Sequence, residues 1–156
     1  MPQLSMHSPL APLTISVEDE KIVALDWGWG RDQEETPVLQ QARTWLDAYF
    51  DGDTAPCTLP LEPYGTPEQV KAWRFMLTIP AGQQIYWKDA ARLADVTPED
   101  IVSACGENPI PILIPCHRID LEDCPEYDPE SYPGEEGARD RQFLRNLETL
   151  SVTSKS

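Results

Sequence analysis

Lysine is scarce in this chain, four among 156 residues, and all 12 basic side chains stand against 27 acidic ones, a formal net charge of −15. Such a surface repels polyanions at long range, so charge taken alone argues against nucleic acid. It leaves two readings, a surface adapted to high salt or a protein without a polyanionic partner. Long apolar runs are also missing. The longest, residues 110–114, is broken by Pro111 and followed by Pro115, well short of the ~18 apolar residues that a membrane span needs. No basic n-region of a secretory signal opens the chain, so we expect a cytoplasmic protein with no membrane contact. Histidine occurs only as His7 and His117, and Cys57, Cys105, Cys116 and Cys124 form no Cys-x-x-Cys pair. These residues make no recognisable zinc framework. A disulfide scaffold is needless in a chain with 40% hydrophobic residues, so the thiols are read as free and no metal is expected.

What is present reads as an α/β chain. Residues 9–17 and 21–27 alternate imperfectly around Glu18-Asp-Glu20, a hairpin signal. From Thr36 to Phe50 the period changes, and Val38, Ala42, Trp45, Leu46 and Tyr49 share one face of a helix with Thr36 as cap and Pro37 in the first turn. The stretch 51–65 carries three prolines and two glycines without periodicity and reads as an ordered linker. At Thr66-Pro-Glu-Gln69 a second helix opens with cap, N1 proline and a reciprocal Gln at N3, and Val70, Trp73, Phe75, Met76 and Leu77 are expected to bury it. A third covers residues 87–94, with Ala90, Ala91 and Leu93 inward. Thr97-Pro-Glu-Asp100 repeats the opening device for a fourth, running to about residue 105, and the turn at Asp95-Val96 gives a helix-turn-helix outline. The last helix spans residues 138–150, with Phe143, Leu144, Leu147 and Leu150 as its buried stripe. The expected organisation is a strand-and-helix subdomain over 1–52, a linker over 53–64, a mainly helical domain over 65–150 and a tail over 151–156.

Chemistry concentrates in Asn108-Pro-Ile-Pro-Ile-Leu-Ile-Pro-Cys-His-Arg118. Prolines 109, 111 and 115 fix φ and discourage helix, so a stiff, apolar, extended run is expected to deliver Cys116 into a turn. His117 offers a proton acceptor and Arg118 a nearby positive charge, both of which favour the nucleophilic thiolate. A buried cysteine beside a merely hydrogen-bonded histidine is the plainer alternative.

The segment Ile114-Pro-Cys-His-Arg-Ile119, with Asn108-Pro109 ahead of it, resembles the active-site signature of the O6-alkylguanine-DNA alkyltransferases. Similarity extends back through Gly65-Thr66, Val70, Trp73, Ile79-Pro-Ala-Gly82 and Tyr86, and forward to Phe143-Leu-Arg-Asn-Leu-Glu148. The resemblance implies a small N-terminal strand-and-helix subdomain followed by a mainly helical, winged-helix-like alkyltransferase domain. It implies a monomer, without cofactor, that takes the alkyl group from O6 of a flipped guanine in one irreversible turnover. Cys116 would be the acceptor, His117 its water-mediated base and Glu148 the carboxylate that orients the imidazole. Asn108 would hold the turn that carries Cys116, Arg118 would anchor that segment, and the loop around Tyr132 would wall the base pocket.

Three positions depart from the family pattern. Glu99 falls where the family has the arginine that fills the space left by the flipped base, and Asp100 adds to its charge. Trp87 aligns with the tyrosine that helps rotate the nucleotide, with Tyr86 one position early. Residues 121–136 carry seven acids where the family has serine and glycine. Two functions follow: repair of alkylated guanine in DNA, or a relative that kept fold and thiol and serves as a protein-binding or thiol-reactive module.

Overall fold

The computed structural model describes residues 2–30, 33–128 and 137–155, the side chains of 151–155 excepted. The hairpin forms from β2 (Leu13–Glu18) and β3 (Lys21–Trp27). Asp19 and Glu20 both take positive φ, 51° and 63°, the two-residue turn whose twist matches that of the flanking strands. A strand without a clear sequence signal, β1 (Gln3–Met6), pairs antiparallel with β2, giving the order β1-β2-β3. Residues 9–12 lie outside the strands, so the hairpin is shorter at its start than its apolar pattern suggests.

Helix α1 (Pro37–Phe50) begins at Thr36, whose hydroxyl accepts the Leu39 N–H, a cap worth about 1 kcal/mol. It packs on the sheet through Leu39, Ala42, Leu46 and Tyr49. Leu39 replaces Val38 and Trp45 as the fully buried contacts, these two being partly buried. The linker does not merely cross between units. Pro60 C=O accepts the Ile22 N–H (2.8 Å) and Glu62 N–H donates to Ile22 C=O (2.8 Å), so residue 61 lies against one end of β3. Further along, Leu25 N–H donates to Pro109 C=O at 3.0 Å. The open edge of β3 is thus closed by the linker at one end and by the segment leading to Cys116 at the other, which satisfies edge groups that would otherwise invite pairing.

Helices α2 (Pro67–Met76), α3 (Trp87–Ala94) and α4 (Pro98–Gly106) pack on one another. Both expected capping boxes are present, Thr66 with Gln69 and Thr97 with Asp100. Trp73 Nε1–H donates to Ala104 C=O at 2.9 Å and locks α2 to α4. Trp73 and Met76 are buried as expected, while Val70, Phe75 and Leu77 are only partly covered, their place taken by Ala72 and Gln69. On α3 the expectation for Leu93 fails. Ala90 and Ala91 face inward, but Leu93 is 61% exposed, because Trp87, Ala90 and Ala91 already fill the stripe against α2 and α4. Asp95 ends α3 in the left-handed conformation, and α4 follows directly. Strands β4 (Ile85–Tyr86) and β5 (Ile119–Asp120) form a short parallel pair.

Helix α5 (Ala138–Lys155) runs five residues past the expected boundary, so residues 151–155 continue the helix rather than forming a separate tail. Its buried stripe is also displaced. Leu144 is buried as expected, but Phe143 is 38% and Leu150 67% exposed, whereas Asp140, Arg141 and Glu148 are buried. The helix turns a largely polar face inward because that face is charged with partners rather than filled with hydrocarbon. Among the described residues no helix is long and apolar enough to cross a membrane.

Candidate active site

The segment before Cys116 is not the extended run expected. It closes into a loop, Ile114 N–H donating to Ile110 C=O at 2.9 Å, with Ile112 at φ 75°. A β-branched residue in that region costs on the order of 1–3 kcal/mol. Asn108 holds the loop shut: its Oδ1 accepts the Ile110 N–H (2.9 Å) and its Nδ2–H donates to Ile114 C=O (2.9 Å). Because one buried amide satisfies groups at both ends, the chain bends where its prolines alone would have kept it straight. Pro115, at φ −83° and ψ 67°, then makes an inverse γ-turn with Cys116 N–H donating to Ile114 C=O. Residues Cys116–Arg118 form one 3-10 turn, with Cys116 2% and His117 0% exposed.

Glu148 reaches this turn from α5. Its Oε2 meets His117 Nε2 at 2.6 Å, and Arg118 donates from Nε to Oε1 (2.9 Å) and from Nη2 to Oε2 (2.9 Å). The third nitrogen of Arg118, Nη1, donates to Ile79 C=O at 2.6 Å and so pins the Pro-Ala-Gly turn. The Gly82 N–H adds a fourth approach to Glu148 Oε1 at 3.3 Å, and the Tyr49 hydroxyl donates to Oε2 at 2.5 Å. Burial alone would push the Glu148 carboxyl up, but His117 and Arg118 outweigh it and hold the carboxyl far below its usual range. Burial keeps His117 below the ordinary imidazole range despite the pull of Glu148. A neutral ring beside a carboxylate crowded with donors carries its proton on Nε2. Nδ1 is buried and meets no hydrogen-bond partner among the described residues.

Burial pushes the Cys116 thiol up, and the Asn108 amide and the Arg141 charge pull it part of the way back. Arg141 is the cation that lowers the thiol, while the Arg118 guanidinium is engaged by Glu148 and Ile79. Arg141 is itself buried, with Nη2–H donating to Ile119 C=O at 2.5 Å and its guanidinium 5.6 Å from the Tyr127 ring centroid. A resting thiol in this setting is protonated and needs a base in the same step as attack.

The remaining expected residues lie apart from the thiol relay. Tyr86, the residue before α3, donates its hydroxyl to Asp123 Oδ2 at 2.7 Å, and Trp87 donates Nε1–H to Asp123 Oδ1 at 2.9 Å. The Tyr86 hydrogen bond, then that of Trp87, hold the Asp123 carboxyl below its usual range. Trp87 is buried while Tyr86 is half-buried. Glu99 is exposed in the first turn of α4, next to Asp100, whose Oδ2 accepts the Thr97 N–H. Tyr132 lies outside the described residues. Sequence reasoning missed Tyr49, which read as helix core, Arg141, which lies off the apolar stripe expected for the last helix, and Asp123, one acid among seven. Only Tyr49 left a usable signal, a polar atom on a face otherwise made of hydrocarbon.

Two family models match the chain. One, described as the 6-O-methylguanine DNA methyltransferase DNA binding domain, covers residues 67–146, and another, the ribonuclease-like domain of the same enzymes, covers 4–63. The constitutive methylated-DNA–protein-cysteine methyltransferase of Bacillus subtilis is 32% identical over 96% of this chain and 96% of its own length. The Haemophilus influenzae methylated-DNA–protein-cysteine methyltransferase is 34% identical over 72% of this chain and 69% of the relative. In fold the chain is similar to Mycobacterium tuberculosis O6-methylguanine methyltransferase, with a TM-score of 0.80 at 23% identity over 99% of both chains. The M. tuberculosis OGT in complex with DNA gives 0.79 at 24% identity, over 97% of this chain and 94% of that one.

Proposed function

The chain belongs to the 6-O-methylguanine DNA methyltransferase family, and from that premise we infer that Cys116 accepts, in a single turnover, an alkyl group from O6 of guanine in DNA. The observation that carries the assignment is the buried chain of contacts from Arg118 through Glu148 to His117, the neighbour of Cys116. Glu148 fixes the His117 proton on Nε2, which leaves the Nδ1 lone pair to receive the thiol proton, through one water as the resemblance implies. The sulfur pair then forms the S–C bond in line with the breaking C–O6 bond. The electrons of that bond leave with guanine, which takes up a proton and departs. Asn108 and the Pro115 turn hold the sulfur still, so that little orientation remains to be found on binding.

DNA is the substrate partner, approached by the α3–α4 pair. Tyr86 or Trp87 would assist rotation of the nucleotide, Tyr132 would line its pocket, and Glu99 would face the space that the base leaves. Arg118 acts through Glu148 rather than on the substrate. The protein works as a monomer in this reading, as the resemblance implies. All four cysteines are free, in keeping with a reducing cytoplasm.

Incubation with the free base O6-benzylguanine tests the assignment. Intact-mass and peptide mass spectrometry should find one benzyl group on Cys116 with release of guanine, and none on Cys116→Ala. Labelling distributed over Cys57, Cys105 and Cys124 would overturn it.

A further inference from the structure

We propose that Tyr49, on α1 of the N-terminal unit, is a positioning residue of the thiol relay, its hydroxyl holding Glu148 Oε2 and setting how firmly that carboxylate grips His117. This rests on the reading of His117 as acceptor of the Cys116 proton.

The Tyr49 hydroxyl lies 2.5 Å from Glu148 Oε2 across 99 residues of sequence, in a buried contact. The same oxygen receives His117 Nε2–H (2.6 Å) and Arg118 Nη2–H (2.9 Å), while Oε1 receives Arg118 Nε–H and the Gly82 N–H. A carboxylate oxygen offers about two lone-pair directions. Three donors on Oε2 must therefore share its charge, and what Tyr49 withdraws is lost to His117. The ring is fixed in place, stacked on Trp45 at 5.3 Å and met edge-on by Phe50 at 5.4 Å. Burial, then the Glu148 charge, push its phenol far above the ordinary range, so it is always a donor. The charged groups that act on His117 are Glu148 and Arg141 from α5 and Arg118 from its own turn. The Tyr49 phenol carries no charge, so its hydroxyl can be removed without changing the net charge of the site. Through this hydroxyl the sheet-and-helix unit touches the carboxylate of the relay in the other domain.

Tyr49→Phe keeps the ring and removes the donor. Two readings are taken over a pH series: the His117 imidazole titration by NMR, simple in a chain with two histidines, and the single-turnover rate of Cys116 with O6-benzylguanine. With Oε2 relieved of one donor, the imidazolium is better stabilised. The titration and the acid limb of the rate profile should both move up by about half a pH unit or more, a factor of about three in rate on that limb. The alkaline plateau should hold within about twofold. Site-specific 3-fluorotyrosine at position 49, a stronger donor, should move both the other way, and this second arm decides the matter if Tyr49→Phe does not fold. A uniform loss of rate at every pH with an unmoved His117 titration would reduce Tyr49 to packing and overturn the proposal. Absence of Cys116 alkylation in the wild-type protein would instead overturn the relay, and the His117 titration would still report the grip of Tyr49.

Discussion

Arg118 and Glu148, 30 residues apart, meet through two parallel hydrogen bonds of 2.9 Å, with the carboxylate 2% exposed. Two-pronged geometry of this kind matches the planar fork of a guanidinium to the two oxygens of a carboxylate, and it makes stability depend on acid. Glu148 titrates below its ordinary value of 4.5, so its contribution is present above that pH and lost as pH falls through the depressed value. His117 titrates below 6.5, so the unfolded ring binds a proton first and stability begins to fall as pH drops through 6.5. Both act in the same direction. The urea midpoint should decline from pH 7.5 to 5.5 and more steeply below about 4.5. Glu148→Gln should cost roughly 3 kcal/mol at neutral pH, since it strands the Arg118 charge, and should flatten the acid dependence. A midpoint unchanged between pH 7.5 and 5.5 would contradict a neutral buried His117.

Asn108→Ala opens the loop behind Cys116. It removes the partner of the buried Ile110 N–H and of Ile114 C=O, about 1–3 kcal/mol for each group left unsatisfied, and releases the strained φ of Ile112. Stopped chemical denaturation should show the destabilisation. Alkylation of Cys116 should slow about tenfold or more even in the folded fraction, because the sulfur is no longer aimed; an unaltered rate would mean that the loop is not what orients the thiol.

Glu99→Arg should improve reaction with DNA and leave the free base alone. The side chain is exposed at the start of α4, and the exchange moves the local charge by two units. Screening over about 10 Å at 0.1 M salt confines the gain to nearby phosphates, so it should shrink as salt rises. Affinity for alkylated duplex and single-turnover rate over a salt series are the measurements. Tight wild-type binding that the substitution weakens would show that α4 does not face the duplex as described.

Tyr86 and Trp87 can be separated by their exposure. Trp87 is buried with its indole N–H on Asp123, and Tyr86 has the more accessible ring on the same carboxylate. Tyr86→Phe should lower the rate on alkylated duplex with a smaller effect on the free base. Trp87→Phe should lower thermal stability, because it leaves a gap where the buried indole stood at the start of α3. The reverse pattern would assign nucleotide rotation to Trp87.

The helices were legible because their signals are local. Thr36, Thr66 and Thr97 each precede a proline, and the caps and both reciprocal acid or amide contacts form as the spacing requires. The inward faces were less legible. Leu93, Phe143 and Leu150 are apolar at helical spacing, yet all are exposed, because burial depends on what stands opposite and not on the residue itself. Hydrophobicity found the stripe of α5 only at Leu144 and in part at Leu147, since its other inward residues, Asp140, Arg141 and Glu148, are buried by their partners.

The sequence alone determined the turn that carries the thiol, the order Cys116-His117-Arg118 and the cap-and-proline openings of three helices, all of them properties of residues within one or two turns of each other. Only the tertiary structure decided that Asn108 bends a proline-rich run into a loop, that a buried Arg141 bonds the chain just after the turn of the thiol, and that Tyr49 shares an oxygen with His117. The reason is physical. Charge and hydrogen bonding in a buried site act over a few ångströms, and the groups within that distance come from segments as much as 99 residues apart, which packing, and no spacing along the chain, brings together.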